Sequence, residues 1–382
     1  QCKGNMVNNS EDSMTKAAEL AKMGEVLTNS QIGGRRNIVI NGGMQVAQRG
    51  TSFTGKTADH YIVDRFTMFV NGAMGTWTTA QSTTVPTGEG FAKSIKMDCT
   101  TADASPASSD ILSVQQRFEG QDLQQLKKGT SSAESLTATF YVRSNKTGTY
   151  IAELEDRDNT RYVSQSYTIS SADTWEKKTV TFPADTSGAL NNDNGESLRL
   201  NFWLGGGSDF TSGTLGTTWH TTATNRAVGQ VNLADSTSNE WYVTGVQLEV
   251  GEQATPFEHR SFGEELALCQ RYYTVLCEQT ASGNESILNM QAYNTTKIYG
   301  VYSLPVEMRA APTLVQTTGT NNYKFFRADT SDNFNELEIE TNPSNTRNVE
   351  LFVDADLSHT QGHAGWIRSG NENTLVAVSA EL

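Results

Sequence analysis

The sequence predicts a mainly β protein of 382 residues: an N-terminal helix, a large β-sandwich, a linking helix and a small C-terminal β domain. Three observations carry that expectation. Charged residues make up only 19% of the chain, and Gly (32 residues), Thr, Asn and Ser recur throughout, a composition suited to short strands joined by turns rather than to helices. Apolar side chains alternate with polar ones over several runs, the clearest being Ser135 to Val142, where Leu136, Ala138, Phe140 and Val142 share one face. Gly, Asn, Asp and Ser clusters separate these runs, as they do between the strands of a sandwich.

Residues 1–34 read as a helical attachment segment. Met14 to Leu27 follows Ser13, a good N-cap, with Glu11 and Asp12 placed where the helix dipole favours negative charge. Leu20, Met23 and Leu27 form a narrow apolar stripe. A helix of about 14 residues is marginal alone in water, so this stripe predicts a partner, either copies of the same chain or another protein. Asn29 to Gly34 is a turn-rich hinge.

Residues 35–260 read as the sandwich. Besides Ser135 to Val142, strands are expected at Thr149 to Glu155, Thr179 to Phe182, Leu198 to Leu204 and Tyr242 to Val250. Asp185 to Glu196 and Gly205 to Arg226 are the expected long loops. Ser261-Phe262-Gly263-Glu264 has the form of a capping box, opening a linking helix over 261–278 with Leu266, Cys269, Tyr273 and Leu276 at helical spacing. Residues 279–382 return to strands: Ile298 to Tyr302, Thr313 to Gln316, Tyr323 to Phe326, Glu336 to Ile339, Val349 to Val353 and Thr374 to Ala380.

Charge and cysteine content narrow the function classes. Lys+Arg (29) against Asp+Glu (43) gives a net charge of −14, which disfavours nucleic acid as a partner. No apolar run is long enough to span a membrane as a helix, and Gln1 to Ser10 shows no secretory signal. Cys2, Cys99, Cys269 and Cys277 are too few and too scattered for a disulfide scaffold, so reduced thiols in a protein made in a cytoplasm are expected. No phosphate loop, nucleophile elbow or HExxH motif is present, and no cofactor is implied.

Three blocks carry a resemblance: Asn37 to Phe53 (NIVINGGMQVAQRGTSF), Gln116 to Tyr150, and Val243 to Tyr273. In this order they resemble a β-sandwich module of virion proteins in tailed bacteriophages, tail-fibre proteins of marine phages in particular. That module is in turn similar to jelly-roll carbohydrate-binding modules. The resemblance spans residues 37 to 273 and extends to the small β domain beyond Glu278. It implies a jelly-roll fold and a non-enzymatic virion component, assembled as a homotrimer. The N-terminal helix would join it to other virion proteins, with host-surface glycan as a possible ligand. A non-binding decoration protein and a polysaccharide depolymerase are the rival classes.

A sugar-binding jelly roll needs an aromatic ring to stack on pyranose C–H groups and polar side chains for hydroxyls. Leu198, Leu200, Phe202 and Leu204 claim the core side of their strand, so Arg199, Asn201 and Trp203 must face outward. Gln247 and Glu249 face outward on another strand. If the two strands are neighbours, these five residues form a glycan platform. The competing reading packs Trp203 under a loop or into a subunit interface. Glu153, Glu155 and Asp156 form the densest acidic cluster, either a solvated face or a hydrolytic carboxylate pair. Asp156 to Asn159 and Asn191 to Asn194 could supply Ca²⁺ oxygens, though ordinary turns explain both. His359 and His363 are spaced i, i+4, but Gly362 and Gly365 argue for a loop rather than a metal site. Cys269 reads as a core residue.

Overall fold

The computed structural model describes Lys16 and residues 36–278, 284–327, 330–342, 344–354, 357 and 359–382. The expected N-terminal helix, with Leu20, Met23 and Leu27, lies outside the described residues.

Twelve strands build the sandwich: β1 (Ser52–Lys56), β2 (His60–Val63), β3 (Phe66–Asn71), β4 (Thr76–Ser82), β5 (Ser94–Thr101), β6 (Ile111–Glu119), β7 (Leu136–Ser144), β8 (Gly148–Asp156), β9 (Arg161–Ile169), β10 (Glu176–Phe182), β11 (Glu196–Gly206) and β12 (Glu240–Val250). They form two six-stranded antiparallel sheets, in the orders β1-β4-β5-β12-β7-β10 and β2-β3-β6-β11-β8-β9. Consecutive strands pass repeatedly from one sheet to the other, so the core is closed mainly by contacts distant in sequence. The inward set on β11 is the one parity requires: Leu198, Leu200, Phe202 and Leu204 are all fully buried. Phe140 on β7 meets Phe202 on β11 edge-on at 4.9 Å, and Trp241 on β12 lies 6.0 Å from Phe202, so aromatic contacts bridge the two sheets.

Strand β12 shows how one glycine resets the alternation. Trp241 and Val243 point into the core, as do Val246 and Leu248. The switch from odd to even positions occurs where the pairing of β12 with β7 shifts between Thr244 and Gln247. Gly245 sits there at φ +62°, and a Cβ on it would lie 2.5 Å from the Phe91 ring. This is a β-bulge that only glycine accommodates.

The capping box forms as the sequence predicts. Helix α1 (Phe262–Gln270) begins with Ser261 Oγ accepting from Glu264 N (3.3 Å) while Glu264 accepts from Ser261 N (2.9 Å). Ser261→Ala is expected to cost about 0.5–2 kcal/mol, read as a lowered urea midpoint, and an unchanged midpoint would contradict the cap's contribution. The helix is shorter than expected. It ends at Gln270, and β13 (Tyr273–Glu278) replaces its predicted last turns. Tyr272-Tyr273-Thr274-Val275 is a run of aromatic and β-branched residues, which favour a strand once an edge is available. That edge is the last strand of the chain, to which β13 pairs antiparallel.

The remaining strands are β14 (Ser286–Ala292), β15 (Lys297–Ser303), β16 (Thr313–Gln316), β17 (Tyr323–Arg327), β18 (Thr330–Phe334), β19 (Glu338–Glu340), β20 (Asn348–Asp354), β21 (Ala364–Ser369) and β22 (Leu375–Ser379). A three-stranded sheet (β13-β22-β16) and a seven-stranded sheet (β18-β17-β21-β14-β15-β20-β19) enclose a core of Ile298, Phe325, Leu351, Ile367 and Val376. The C-terminal unit therefore starts before residue 279, because β13 is one of its strands.

The join between the units is both polar and apolar. Cys269 and Tyr272 pack with Ile40 and Val46 of the sandwich. Arg271 reaches back to Glu119 through Nε (2.8 Å) and Nη2 (2.7 Å), and Tyr272 Oη donates to the same carboxylate at 2.5 Å. Burial would push the Glu119 carboxyl up, but Arg271 and Tyr272 outweigh it and hold the group below its ordinary value. Glu381 pairs with Arg65 and with Arg49 (3.1 Å), which ties the end of β22's extension to the sandwich. Cys99 and Cys269 are buried free thiols, and Cys277 is buried too.

Candidate functional site

The five residues expected to form one platform are not brought together. Arg199, Asn201 and Trp203 lie on β11, between β6 and β8, whereas Gln247 and Glu249 lie on β12 in the other sheet. All five are buried. Gln247 and Glu249 are covered by the chain after β12. Gln247 Nε2 donates to Glu249 Oε1 (2.9 Å), Thr255 N and Oγ1 donate to Glu249 (2.9 and 2.6 Å), and Glu258 N donates to Gln247 Oε1 (2.8 Å). The strap from 255 to 258 uses the polar atoms that a ligand would need.

Parity does turn Trp203 away from the main core, but the loop after β11 closes over it. Phe210, Leu215 and Ala227 pack on Trp203 and Ile151. Arg226 enters from the same loop. It reaches Glu153 through Nε (2.7 Å) and Nη2 (2.9 Å), and Glu155 through Nη2 (3.0 Å). Trp203 Nε1 (3.0 Å) and Asn201 Nδ2 (2.9 Å) also donate to Glu153 Oε2, and Arg199 stands 3.6 Å from Glu155. The glutamate cluster is thus neither a solvated face nor an open carboxylate pair. Desolvation would raise Glu155, but Arg226, Arg199 and Arg157 overcome it and keep the carboxyl below its usual range.

The metal candidates resolve similarly. Asp156 pairs with the buried Lys128 ammonium at 2.5 Å and accepts from Asn159 N, so 156–159 is a turn built around an ion pair. Asn191 is held by Asp158 (2.9 and 2.7 Å). Among the described residues, no group of three or more His, Cys, Asp or Glu side chains is placed to hold a metal.

An open cleft does exist, on the outer face of the seven-stranded sheet. It encloses about 720 Å³ and is lined by Gln291, Tyr293, Tyr299, Glu340, Glu350, Gln361 and Gly362. Alternation places these side chains outward because Ile298, Leu351 and Val353 take the core side of the same strands. Tyr299 stacks on Phe352 (5.5 Å, 21° between planes) and meets Tyr293 edge-on at 5.7 Å. Tyr293 is 67% exposed, the most open of the large hydrophobic side chains described. The pairing of β19 with β20 sets Glu340 directly opposite Glu350.

His359 and His363 support this cleft. The buried His359 ring holds Asn294 O through Nε2 (2.8 Å), in the turn just after Tyr293. Ala292 N donates to His363 O (2.7 Å), and Gly362 N donates to Ala292 O (2.9 Å). Asn294 Oδ1 closes the same turn by accepting from Thr296 N and Lys297 N. The i, i+4 histidines therefore fasten the loop that forms the cleft wall.

The cleft differs from the sandwich face in one chemical respect. Among the described residues, no hydrogen bond or ion pair occupies the side chains of Gln291, Tyr293, Tyr299, Glu340, Glu350 or Gln361, whereas Glu153, Glu155, Gln247 and Glu249 are all engaged. Two tyrosine rings, two amides and two carboxylates converge on one concavity with their polar atoms free to meet a ligand. The parity of Lys297 to Ser303 carried the signal, since Tyr299 falls opposite Ile298. The meeting of Glu340 with Glu350 depends on register across two strands and had no local signature.

No family model matches the chain, and no curated protein does. Solved structures with likeness include the enzymatically active domain of tailspike protein 4 from bacteriophage CBA120, at 13% identity and TM-score 0.30 over 56% of this chain. A family 61 carbohydrate-binding module in complex with β-1,4-galactotriose matches at 9% identity and TM-score 0.28, over 56% of this chain and 99% of the module. The N-terminal cellulose-binding domain of Cellulomonas fimi β-1,4-glucanase C matches at 11% identity and TM-score 0.27, over 55% of this chain and 95% of that domain. The match covers 21% of the tailspike chain's length. Likeness at this level says nothing about a ligand.

Proposed function

We propose that this chain is a structural component of a bacteriophage virion, of tail-fibre type, that contacts host-surface glycan through the cleft on its C-terminal sheet. The observation that carries the binding half is the cleft itself: the exposed Tyr293 ring and the half-buried Tyr299 ring, flanked by uncommitted amides and carboxylates. Pyranose rings present C–H faces that stack on such rings and hydroxyls that such groups bond. The virion half rests on the sequence resemblance over residues 37 to 273. In this reading the N-terminal segment with Leu20, Met23 and Leu27 joins copies into a homotrimer or fixes them to other virion proteins, and the C-terminal unit points to the host.

A glycan array probed with the full chain tests the binding half. Wild type is expected to retain a defined subset of glycans, and Tyr293→Ala to weaken that retention about tenfold or more without altering the melting temperature. Retention of no glycan would leave the decoration reading in its place.

One observation favours a second reading, a depolymerase. Directly opposed residues on neighbouring strands have Cβ atoms about 4.5–5.5 Å apart, a spacing that lets Glu340 and Glu350 act on one glycosidic bond. Release of reducing ends from a retained glycan, lost in Glu350→Gln, would select it.

A further inference from the structure

The outer face of the seven-stranded sheet continues beyond the cleft, and its character changes. On β21 and β17, Trp366 is 45% exposed and lies opposite Phe326, ring centroids 6.0 Å apart. The Arg368 guanidinium sits over both rings, 4.4 Å from Phe326 and 5.6 Å from Trp366. Lys324 is the direct cross-strand partner of Arg368, and its Nζ donates to Asn284 Oδ1 at 2.6 Å.

Two like charges set directly opposite each other on neighbouring strands are unfavourable. Among the described residues, no carboxylate lies within ion-pair distance of either cation, and Arg368 Nε has no hydrogen-bond partner. In a chain of net charge −14, two adjacent cations without a counter-charge, beside an open indole ring, match an anion joined to an apolar face. Guanidinium geometry favours a planar two-oxygen anion. Trp366 on β21 and Glu350 on β20 are separated by three inter-strand spacings, about 14 Å, so one oligosaccharide can reach both.

We propose that this corner is a subsite for an acidic sugar: a sugar residue stacks on Trp366 and places its carboxylate between Arg368 and Lys324, while uncharged residues of the same chain occupy the tyrosine cleft. The inference rests on the glycan reading above and adds the ligand's charge and polarity. The opposed Glu340 and Glu350 would repel a uniformly acidic polymer, so the expected ligand carries its acid at one end of the bound stretch.

The test uses the full chain on an array of uronate-bearing and sialate-bearing oligosaccharides, each beside its carboxyl-reduced counterpart. Wild type is expected to bind the acidic form about tenfold more tightly, with the preference shrinking as salt is raised. Arg368→Gln is expected to abolish the preference while leaving the reduced forms bound as by wild type. Equal binding of acidic and reduced forms, or a preference that survives Arg368→Gln, would overturn the acidic subsite and leave the glycan reading standing. Binding of no oligosaccharide in either form would overturn both.

Discussion

Replacing Arg226 with Met is expected to destabilise the sandwich by about 3–5 kcal/mol, the usual cost of removing one member of a buried ion pair. Arg226 holds two carboxylates, and Glu153 is fully buried. Without the guanidinium, Glu153 keeps only the neutral donors Asn201 and Trp203, and Glu155 keeps Arg199 and Arg157. The loop after β11 also loses its anchor over Trp203. Urea unfolding at pH 7 measures the effect, and a loss below about 1 kcal/mol, the value typical of an exposed pair, would contradict it. The same cluster gives a pH dependence. Glu155 and Glu119 are held below their ordinary values in the folded protein. The stability they contribute is therefore fully present above the ordinary glutamate pKa of about 4.3 and is lost as pH falls through the lower folded values. Wild type should lose stability on acidification below about pH 4, and Arg226→Met should lose less there, because it has already forfeited part of that contribution.

Trp203→Ala is expected to cost about 3–5 kcal/mol, the range for a buried large aromatic cut to alanine. Trp203 is 1% exposed, with Phe210 5.6 Å away and Arg226 5.3 Å above its ring. Its removal opens a space under the loop and takes one donor from Glu153. The loss should appear in thermal or urea unfolding, while glycan retention per folded molecule stays at the wild-type level. Full stability with lost retention would return the binding site to the sandwich.

Parity read along one strand places Leu198 to Leu204 and Trp203 on opposite faces, and the structure agrees residue by residue. Parity cannot say what covers a face. Arg226 reaches Glu153 across 73 residues of sequence, and the 255–258 strap covers Gln247, so both halves of the expected platform are closed by segments that the strands themselves do not announce. The Ser261 capping box is local and was fully legible. The end of α1 was not, because the edge of β22 that draws 273–278 into a strand is about a hundred residues away in sequence. Strands β1 to β3 run only four to six residues, too brief for alternation to stand out, and β6, though nine residues long, buries Gln115 and Gln116 among its apolar side chains. In the C-terminal unit several strand positions were legible, from runs such as Val349 to Val353, but β14, β18 and β21 were not among the expected strands, and the cleft exists only through register across β14, β15, β20 and β19.

Amide hydrogen exchange on the full chain, with and without a retained glycan at saturating concentration, tests the placement of the site most directly. Bound glycan is predicted to protect residues 289–301, 348–352 and 359–363, the strands and loop that form the cleft, and to leave 199–203 and 223–227 unchanged. Protection at 199–203 and 223–227, with the cleft segments unaffected, would contradict it.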